Sequence, residues 1–472
     1  MSLPQIRESI VLHQRPHSIE QPDNTHLESL SGFQDYTYRL GGPDAAQQSD
    51  EASLSENPLH TSELGLRRED EAELSIEGGW QAYRILLGAF CALLPSSGLL
   101  NSTGTFQAYV TNNQLKDHSS QQIGWIFSLF MFLMVFGGVL VGPVFDAYGL
   151  RPLLIPGFLG FVGALMAFSV SAEYYQFLLS FGVLGGLSAS MLWTTSLATV
   201  GHWFFRRRGM ATAIITTAGP VGGIIFPILF EKLVPLIGFP WTVRVISFIS
   251  LGLGIVATIL MKTRLPPSHT VKYKINLQSF KDRRFLITIL ALYAIDLSCM
   301  IPPSYITTYA LAHGVPNALS YQLVALLNAA QVLGRTVPGW IADRWGRFNT
   351  MVLSSLPCAV VILALWLRAD STGSIVAFAV LFGLLSGTAH SLTPVCISQL
   401  CATDEYASKY GTAYLFVSSA TLIGIPISGA ILGEKQDFSR LIWFCGAFYL
   451  ASAALFGVAR VAGAGWKVRK IY

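Results

Sequence analysis

The sequence predicts an all-α membrane protein with twelve transmembrane helices in two pseudo-symmetric six-helix bundles. Three observations carry that expectation. The composition is too apolar for one aqueous core, twelve apolar stretches have the length a bilayer requires, and one unusual loop occurs twice, at equivalent places in the two halves.

Of the 472 residues, 52% are hydrophobic and 12% are charged, and the mean hydropathy is +0.50. Soluble domains carry about 25% charged residues, and single aqueous cores stop growing near ~250–300 residues. The surplus of apolar side chains must therefore face lipid. The charge is divided unevenly. Residues 1–79 hold 5 Lys/Arg and 15 Asp/Glu, whereas the rest of the chain holds 26 and 12. The first region is rich in Ser, Gln, Glu and Asp and has no apolar run, which predicts a disordered acidic tail. It lacks the basic and apolar regions of a cleaved signal peptide, so targeting is expected from the first helix. The six cysteines contain no Cys-x-x-Cys pair and no His at metal spacing. Neither a disulfide framework nor a metal site is expected.

A helix needs about 20 mainly apolar residues to cross the hydrocarbon core. Such stretches lie near 81–106, 122–144, 151–170, 174–200, 209–230, 240–261, 285–310, 320–342, 349–368, 373–398, 409–433 and 438–460. Charged or Gly/Pro-rich positions separate them. With an even number of spans and a cytosolic N-terminus, the inner loops and C-terminal end collect 18 basic residues and the outer loops 5. The positive-inside rule therefore places both termini in the cytosol. The longest inner loop, 262–284, divides the chain. The expected organisation is a tail at 1–79, a six-helix bundle at 80–261, the basic loop at 262–284, a second bundle at 285–460 and a C-terminal tail at 461–472.

The repeat supports this division. The second-to-third helix connection reads Gly142-Pro143-Val144-Phe145-Asp146-Ala147-Tyr148-Gly149-Leu150-Arg151. The eighth-to-ninth reads Gly339-Trp340-Ile341-Ala342-Asp343-Arg344-Trp345-Gly346-Arg347. In each, Asp follows the first Gly by four residues, a second Gly follows by three, and Arg closes the run. Small residues let neighbouring helices approach closely. These paired loops resemble the loop signature of the major facilitator superfamily, although Ala147 stands where the signature usually has Arg. The resemblance implies the two-bundle major facilitator fold. It also implies inner-gate contacts that break and re-form during alternating access, carried here by Gly142, Asp146, Arg151, Gly339, Asp343 and Arg347.

A second match points to a branch. Glu77-Gly78-Gly79-Trp80, before helix one, resembles the entry of monocarboxylate porters, and Gln81 and Ala82 are similar to fungal members. Trp203-Phe204-Phe205-Arg206-Arg207-Arg208 and Ala218-Gly219-Pro220-Val221-Gly222 resemble the same branch.

Polar groups at mid-membrane cost about 2.5–3.5 kcal/mol when charged, so they line a cavity or have partners. Arg335 lies two-thirds along helix eight, and Gln331 and Asn328 share its face at i−4 and i−7. A guanidinium fork suits a carboxylate, and Arg335 aligns with the arginine of the branch's helix-eight substrate site. The bland alternative is an ion pair that staples helices. Animal proton-coupled members carry an acid one turn before this arginine and a lysine in helix one. Here those positions hold Gln331 and Asn101, which exchange no proton. Asp296 in helix seven and His390 in helix ten are the proton-coupling candidates, Asp296 by pairing with Arg335 when substrate is absent. Each could instead be a hydrogen-bonded packing residue.

Other signals are set aside. Gly252-Leu253-Gly254 lies inside helix six with no preceding strand, so it is no dinucleotide turn. Gly219-Pro220 with Gly222-Gly223 falls one residue short of a drug-antiporter motif and reads as helix packing. Asn101-Ser102-Thr103 is a sequon inside helix one. No P-loop, Gly-x-Ser-x-Gly elbow or metal cluster occurs, so neither ATP-driven pumping nor hydrolysis, nor any cofactor, is expected. The basic loops are explained by the bilayer without nucleic acid.

The expected function is secondary transport, not catalysis. It would move a small organic anion, a monocarboxylate or carboxylate-bearing metabolite, with or without a proton, at a midplane site lined by helices one, four, seven, eight and ten. Two alternatives stand beside it: export of a larger secondary metabolite, and a non-transporting nutrient sensor acting through the tail. The plasma membrane is the expected location. Nothing in the sequence indicates an oligomeric state.

Overall fold

The structure is a computed structural model that describes residues 79–264, 280–401, 405–433 and 437–465. Apart from Gly79, the expected tail lies outside the described residues, as do 265–279 of the central loop and 466–472 at the C-terminus. Every regular element among the described residues is helical.

The first four helices are α1 (Trp80–Asn112), α2 (Gln122–Tyr148), α3 (Arg151–Val170) and α4 (Tyr174–Trp203). Then comes a 53-residue segment, Arg208–Leu260. Gly238 interrupts it with φ 75° and ψ 168°, which separates α5 (208–237) from α6 (239–260). The second half comprises α7 (Arg283–Ala312), α8 (Asn317–Trp345), α9 (Arg347–Arg368), α10 (Thr372–Ser398), α11 (Tyr406–Leu432) and α12 (Phe438–Gly463).

Among the described residues, ten segments are long and apolar enough to cross a membrane by length and composition, where the sequence suggested twelve. The difference has two physical causes. The turn at Gly238 is so tight that α5 and α6 run on as one segment. And α8, at 29 residues, has ample length but is less apolar because it carries Asn328, Gln331, Arg335, Asp343 and Arg344. The two ends of helices are set locally. Ser119 and Gln122 exchange hydrogen bonds in a capping box at the start of α2, and Ser371 with Ser374 does the same for α10.

Leu159, Leu236, Ile259, Leu333 and Val458 are exposed. A soluble protein exposes such side chains singly; here they recur along most of the helices and face outward, where lipid tails belong. Inside, helices meet at small residues, since apolar association between helices has no driving force in lipid and packing replaces it. Gly98 of α1 and Gly222 of α5 touch backbone to backbone, and Gly334, Gly383 and Gly387 bring α8 and α10 equally close.

The repeated loop is repeated in structure. Gly149 (φ 81°) ends α2 and donates its N–H to the Phe145 carbonyl at 2.8 Å. Gly346 (φ 95°) ends α8 and donates to the Ala342 carbonyl at 3.0 Å. Positive φ strains any residue with a Cβ. Gly346→Ala should therefore destabilise the protein by roughly 1–3 kcal/mol, read as a lower thermal unfolding midpoint. An unchanged midpoint would mean that the turn relaxes without cost.

Candidate functional site

The site is assembled around one face of α8. Asn328, Gln331 and Arg335 are each no more than 3% exposed. The Arg335 Nη2 donates to Gln331 Oε1 at 3.2 Å, which the i−4 spacing permits. Its Nη1 donates to the Thr216 carbonyl of α5, in the other half of the chain. That carbonyl is available for a covalent reason. Its helical donor would be the N–H of residue 220, and Pro220 has none.

Glycines then let α1 reach the same point. A methyl group on Gly219 would collide with the Asn101 amide and crowd the Arg335 guanidinium. On Gly223 it would collide with Asn101 and with the Asn328 amide. Asn101 itself donates to the Ser97 carbonyl at 2.8 Å. Thus Asn101, Asn328, Gln331 and Arg335 converge where α1 and α5 of the first half meet α8 of the second. Two buried donors in this group, Arg335 Nε and Asn328 Nδ2, have no hydrogen-bond partner among the described residues. Buried donors left unsatisfied cost about 1–3 kcal/mol each, and they mark where a ligand acceptor would be held.

The anticipated pairing of Asp296 with Arg335 is not formed. The guanidinium is turned toward Thr216 and Gln331 instead, and among the described residues the Asp296 carboxylate has no ion pair. Asp296 lies on α7 next to Leu297, whose carbonyl packs on Gly424 of α11. His390 stands one turn beyond Gly387, and Gly387 touches the α8 backbone at Gln331 and Arg335. The two proton candidates therefore belong to helices flanking the α8 site but are not bonded to it.

At the Arg-rich end of the bundle, the halves are joined by matching contacts. The Asp343 carboxylate accepts from Gly209 N and Met210 N, both at 2.8 Å. Asp146 accepts from Ser408 N at 2.8 Å. Each carboxylate thus sits on the positive N-terminus of a helix in the opposite half, α5 or α11. Gly142 and Gly339 make this possible: a Cβ on Gly142 would overlap the Ala407 carbonyl, and one on Gly339 would overlap Ala213. Arg347 donates to the Phe205 carbonyl at 3.0 Å and to Ser398 Oγ at 3.4 Å. Arg151 does not join in. It is exposed at the start of α3, and its side chain makes no hydrogen bond or ion pair among the described residues.

Sequence reasoning missed two contacts of this seam. The Arg208 guanidinium lies 4.3 Å from the Tyr406 ring centroid, and Trp193 Nε1 donates to Tyr410 Oη at 2.9 Å. Both pairs cross between the halves. The available signal was Tyr406, Tyr410 and Tyr414 at four-residue spacing, an aromatic stripe on one face of α11. None of the six cysteines is in a disulfide, and all are buried.

Comparisons with known proteins agree on one family. The model described as Major Facilitator Superfamily matches residues 83–407 and 323–470. The MFS transporter asaE of Aspergillus flavus is 37% identical over 403 residues, covering 85% of this chain and 91% of that protein. The riboflavin transporter MCH5 of Saccharomyces cerevisiae is 33% identical, covering 86% and 83%. The aspyridones efflux protein apdF of Emericella nidulans is 33% identical, covering 84% and 81%. Among solved structures, the human organic anion transporter MFSD10 superimposes with a TM-score of 0.64 at 15% identity, covering 80% of this chain and 100% of that one. At that identity the likeness concerns the fold alone.

Proposed function

We propose that this chain, which belongs to the major facilitator superfamily, exports an organic metabolite larger than a short monocarboxylate and grips its acidic or carbonyl-rich group with Arg335 and Asn328. The chain is a multi-pass membrane transporter, not an enzyme, and transporters of this superfamily bind small molecules, often with proton coupling. The observation that carries the proposal is the pair of buried, unpartnered donors, Arg335 Nε and Asn328 Nδ2, facing a junction between the two halves.

Size and direction rest on different support. Relatives at 33% identity are named for riboflavin transport and for aspyridones efflux. A short monocarboxylate would also suit Arg335, and the helix-eight resemblance favours it. Yet the acid and lysine that accompany the arginine in proton-coupled monocarboxylate porters are replaced by Gln331 and Asn101. An amide-rich site favours a substrate with several hydrogen-bonding groups over one with a single charge.

In this proposal α5, α6 and α8 each cross the bilayer, which makes twelve crossings in two six-helix bundles. The Arg-rich face is cytosolic by the positive-inside rule, and the membrane is the plasma membrane. The Asp146, Asp343 and Arg347 contacts form the inner gate, closed in this state. Asp296 is the proton carrier, and His390 is the second candidate for that role.

The test is flux in proteoliposomes of the full chain, with short monocarboxylates, riboflavin and acidic culture metabolites as separate substrates at two pH values. Saturable flux of a larger compound, not competed by short acids, is expected. In Asp296→Asn the pH dependence should disappear while substrate binding persists. Transport of short acids alone would sink the size argument, and an unchanged pH dependence in the variant would remove Asp296 from coupling.

A further inference from the structure

A cavity lies outside the Arg335 site. It measures about 650 Å³ and sits at the Arg-rich end, between the start of α1, the α4–α5 connection and the end of α8. Its lining carries Arg206, Arg207 and Arg344 beside one carboxylate, Asp343, whose oxygens are taken by Gly209 N and Met210 N, and its apolar part is Ile214 with the neighbouring α5 side chains. Arg344 is poised over the Trp340 ring, 3.9 Å from the centroid. Tyr83 and Trp340 complete the wall and are 53% and 49% exposed.

Two properties distinguish this cavity from a solvated basic patch. First, it sits in an aromatic belt. Trp80 and Trp345 flank it at the same end of the bundle, 77% and 65% exposed, and exposed Trp and Tyr mark the headgroup level of a bilayer. Second, it pairs fork donors with an apolar part. Guanidinium groups grip phosphate oxygens bidentately, and the apolar part suits the glycerol and upper acyl chain attached to that phosphate.

We infer that this cavity binds the headgroup of an anionic glycerophospholipid from the leaflet on the Arg-rich side, with Arg207 and Arg344 on the phosphate. Arg207 belongs to the first half and Arg344 to the second. A lipid held by both spans the same seam that Asp343 closes through Gly209 and Met210. Bound lipid therefore stabilises the closed arrangement of this end, whatever the transported substrate is. The leaflet's own negative surface supplies the ligand at high local concentration.

The experiment titrates the full-length protein in detergent with phosphatidylserine or phosphatidylcholine and follows the thermal unfolding midpoint. Phosphatidylserine should raise the midpoint at far lower concentration than phosphatidylcholine. In R207Q/R344Q the apparent affinity for phosphatidylserine should fall by roughly tenfold to thirtyfold, in keeping with the attraction of anionic lipid to each basic residue. R207K/R344K, which keeps charge but not the fork, should fall between and covers the case in which the glutamine variant does not fold. Equal midpoints with the two lipids, or wild-type affinity in the glutamine variant, would overturn the inference. Glycerophosphoserine matching the lipid would show a site for free phosphate esters instead. A further arm neutralises five acids that precede Gly79 in the sequence (E69Q/D70N/E71Q/E73Q/E77Q), in the full chain. If the lipid effect appears only there, the cavity belongs to the chain's own acidic segment and the lipid inference fails; an effect equal to wild type supports it.

Discussion

Arg335→Ala is expected to weaken substrate binding about a hundredfold and to reduce flux in proportion. Truncating one partner of a buried, hydrogen-bonded charge pair costs about 2–5 kcal/mol, and each 1.4 kcal/mol is a factor of ten in affinity. The argument is specific to how this arginine is held. Its Nη atoms are engaged by Thr216 and Gln331, so Nε remains to meet a ligand while the guanidinium plane is fixed across the two halves. Arg335→Lys keeps the charge but has one donor centre where three directions are needed, so it should recover only a small part of the affinity. Pro220→Ala is the sharper control. An N–H at position 220 would take the Thr216 carbonyl back into the α5 ladder and release Arg335 without touching it. Binding should then weaken by several-fold, less than in Arg335→Ala. Equilibrium binding of the labelled substrate, with flux measured in parallel, checks all three variants. Wild-type affinity in Arg335→Ala would reduce the arginine to a staple between α5 and α8.

The role of Pro220 shows where the sequence was legible and where it was not. The fold was legible because lipid imposes a length and a composition on each crossing, and because the two Asp loops are short enough to compare residue by residue. The face shared by Asn328, Gln331 and Arg335 followed from helical spacing, and their convergence is seen in the Arg335–Gln331 bond. Spacing says nothing, however, about which helix of the other half lies opposite. Gly219 and Pro220 read as packing when only α5 is considered. They become part of the site once α1 and α8 are known to meet there. The Asp296–Arg335 pairing was drawn from charge alone, and a backbone carbonyl freed by proline is an acceptor that no inventory of charged residues contains. Arg151 is the converse case. The loop motif included it, but Arg151 is exposed at the start of α3.

Gly142→Val should open the Arg-rich end and lower transport by one to two orders of magnitude. A side chain at 142 cannot coexist with the Ala407 carbonyl at the present separation of α2 and α11. Overpacking of this kind costs about 1–3 kcal/mol. Separating the helices also breaks the bond from Ser408 N to Asp146, a charge-assisted interaction worth about 1.5–3 kcal/mol. Together these favour the state in which α2 and α11 are apart by roughly a hundredfold or more. A transporter that must visit both states to complete a cycle then stalls in one of them. The native Cys401 supplies a direct readout. It lies just beyond α10 at this end and is 3% exposed, and its thiol donates to the Ile397 carbonyl at 3.4 Å. A membrane-impermeant maleimide applied from this side should label it slowly in the wild type and at least about tenfold faster in Gly142→Val, following the shift in population. Cys401→Ser in the same background should abolish the increase, since the other cysteines are also buried. Wild-type labelling together with wild-type flux would mean that α2 and α11 absorb the side chain without opening. Their contact would then be packing and not a gate.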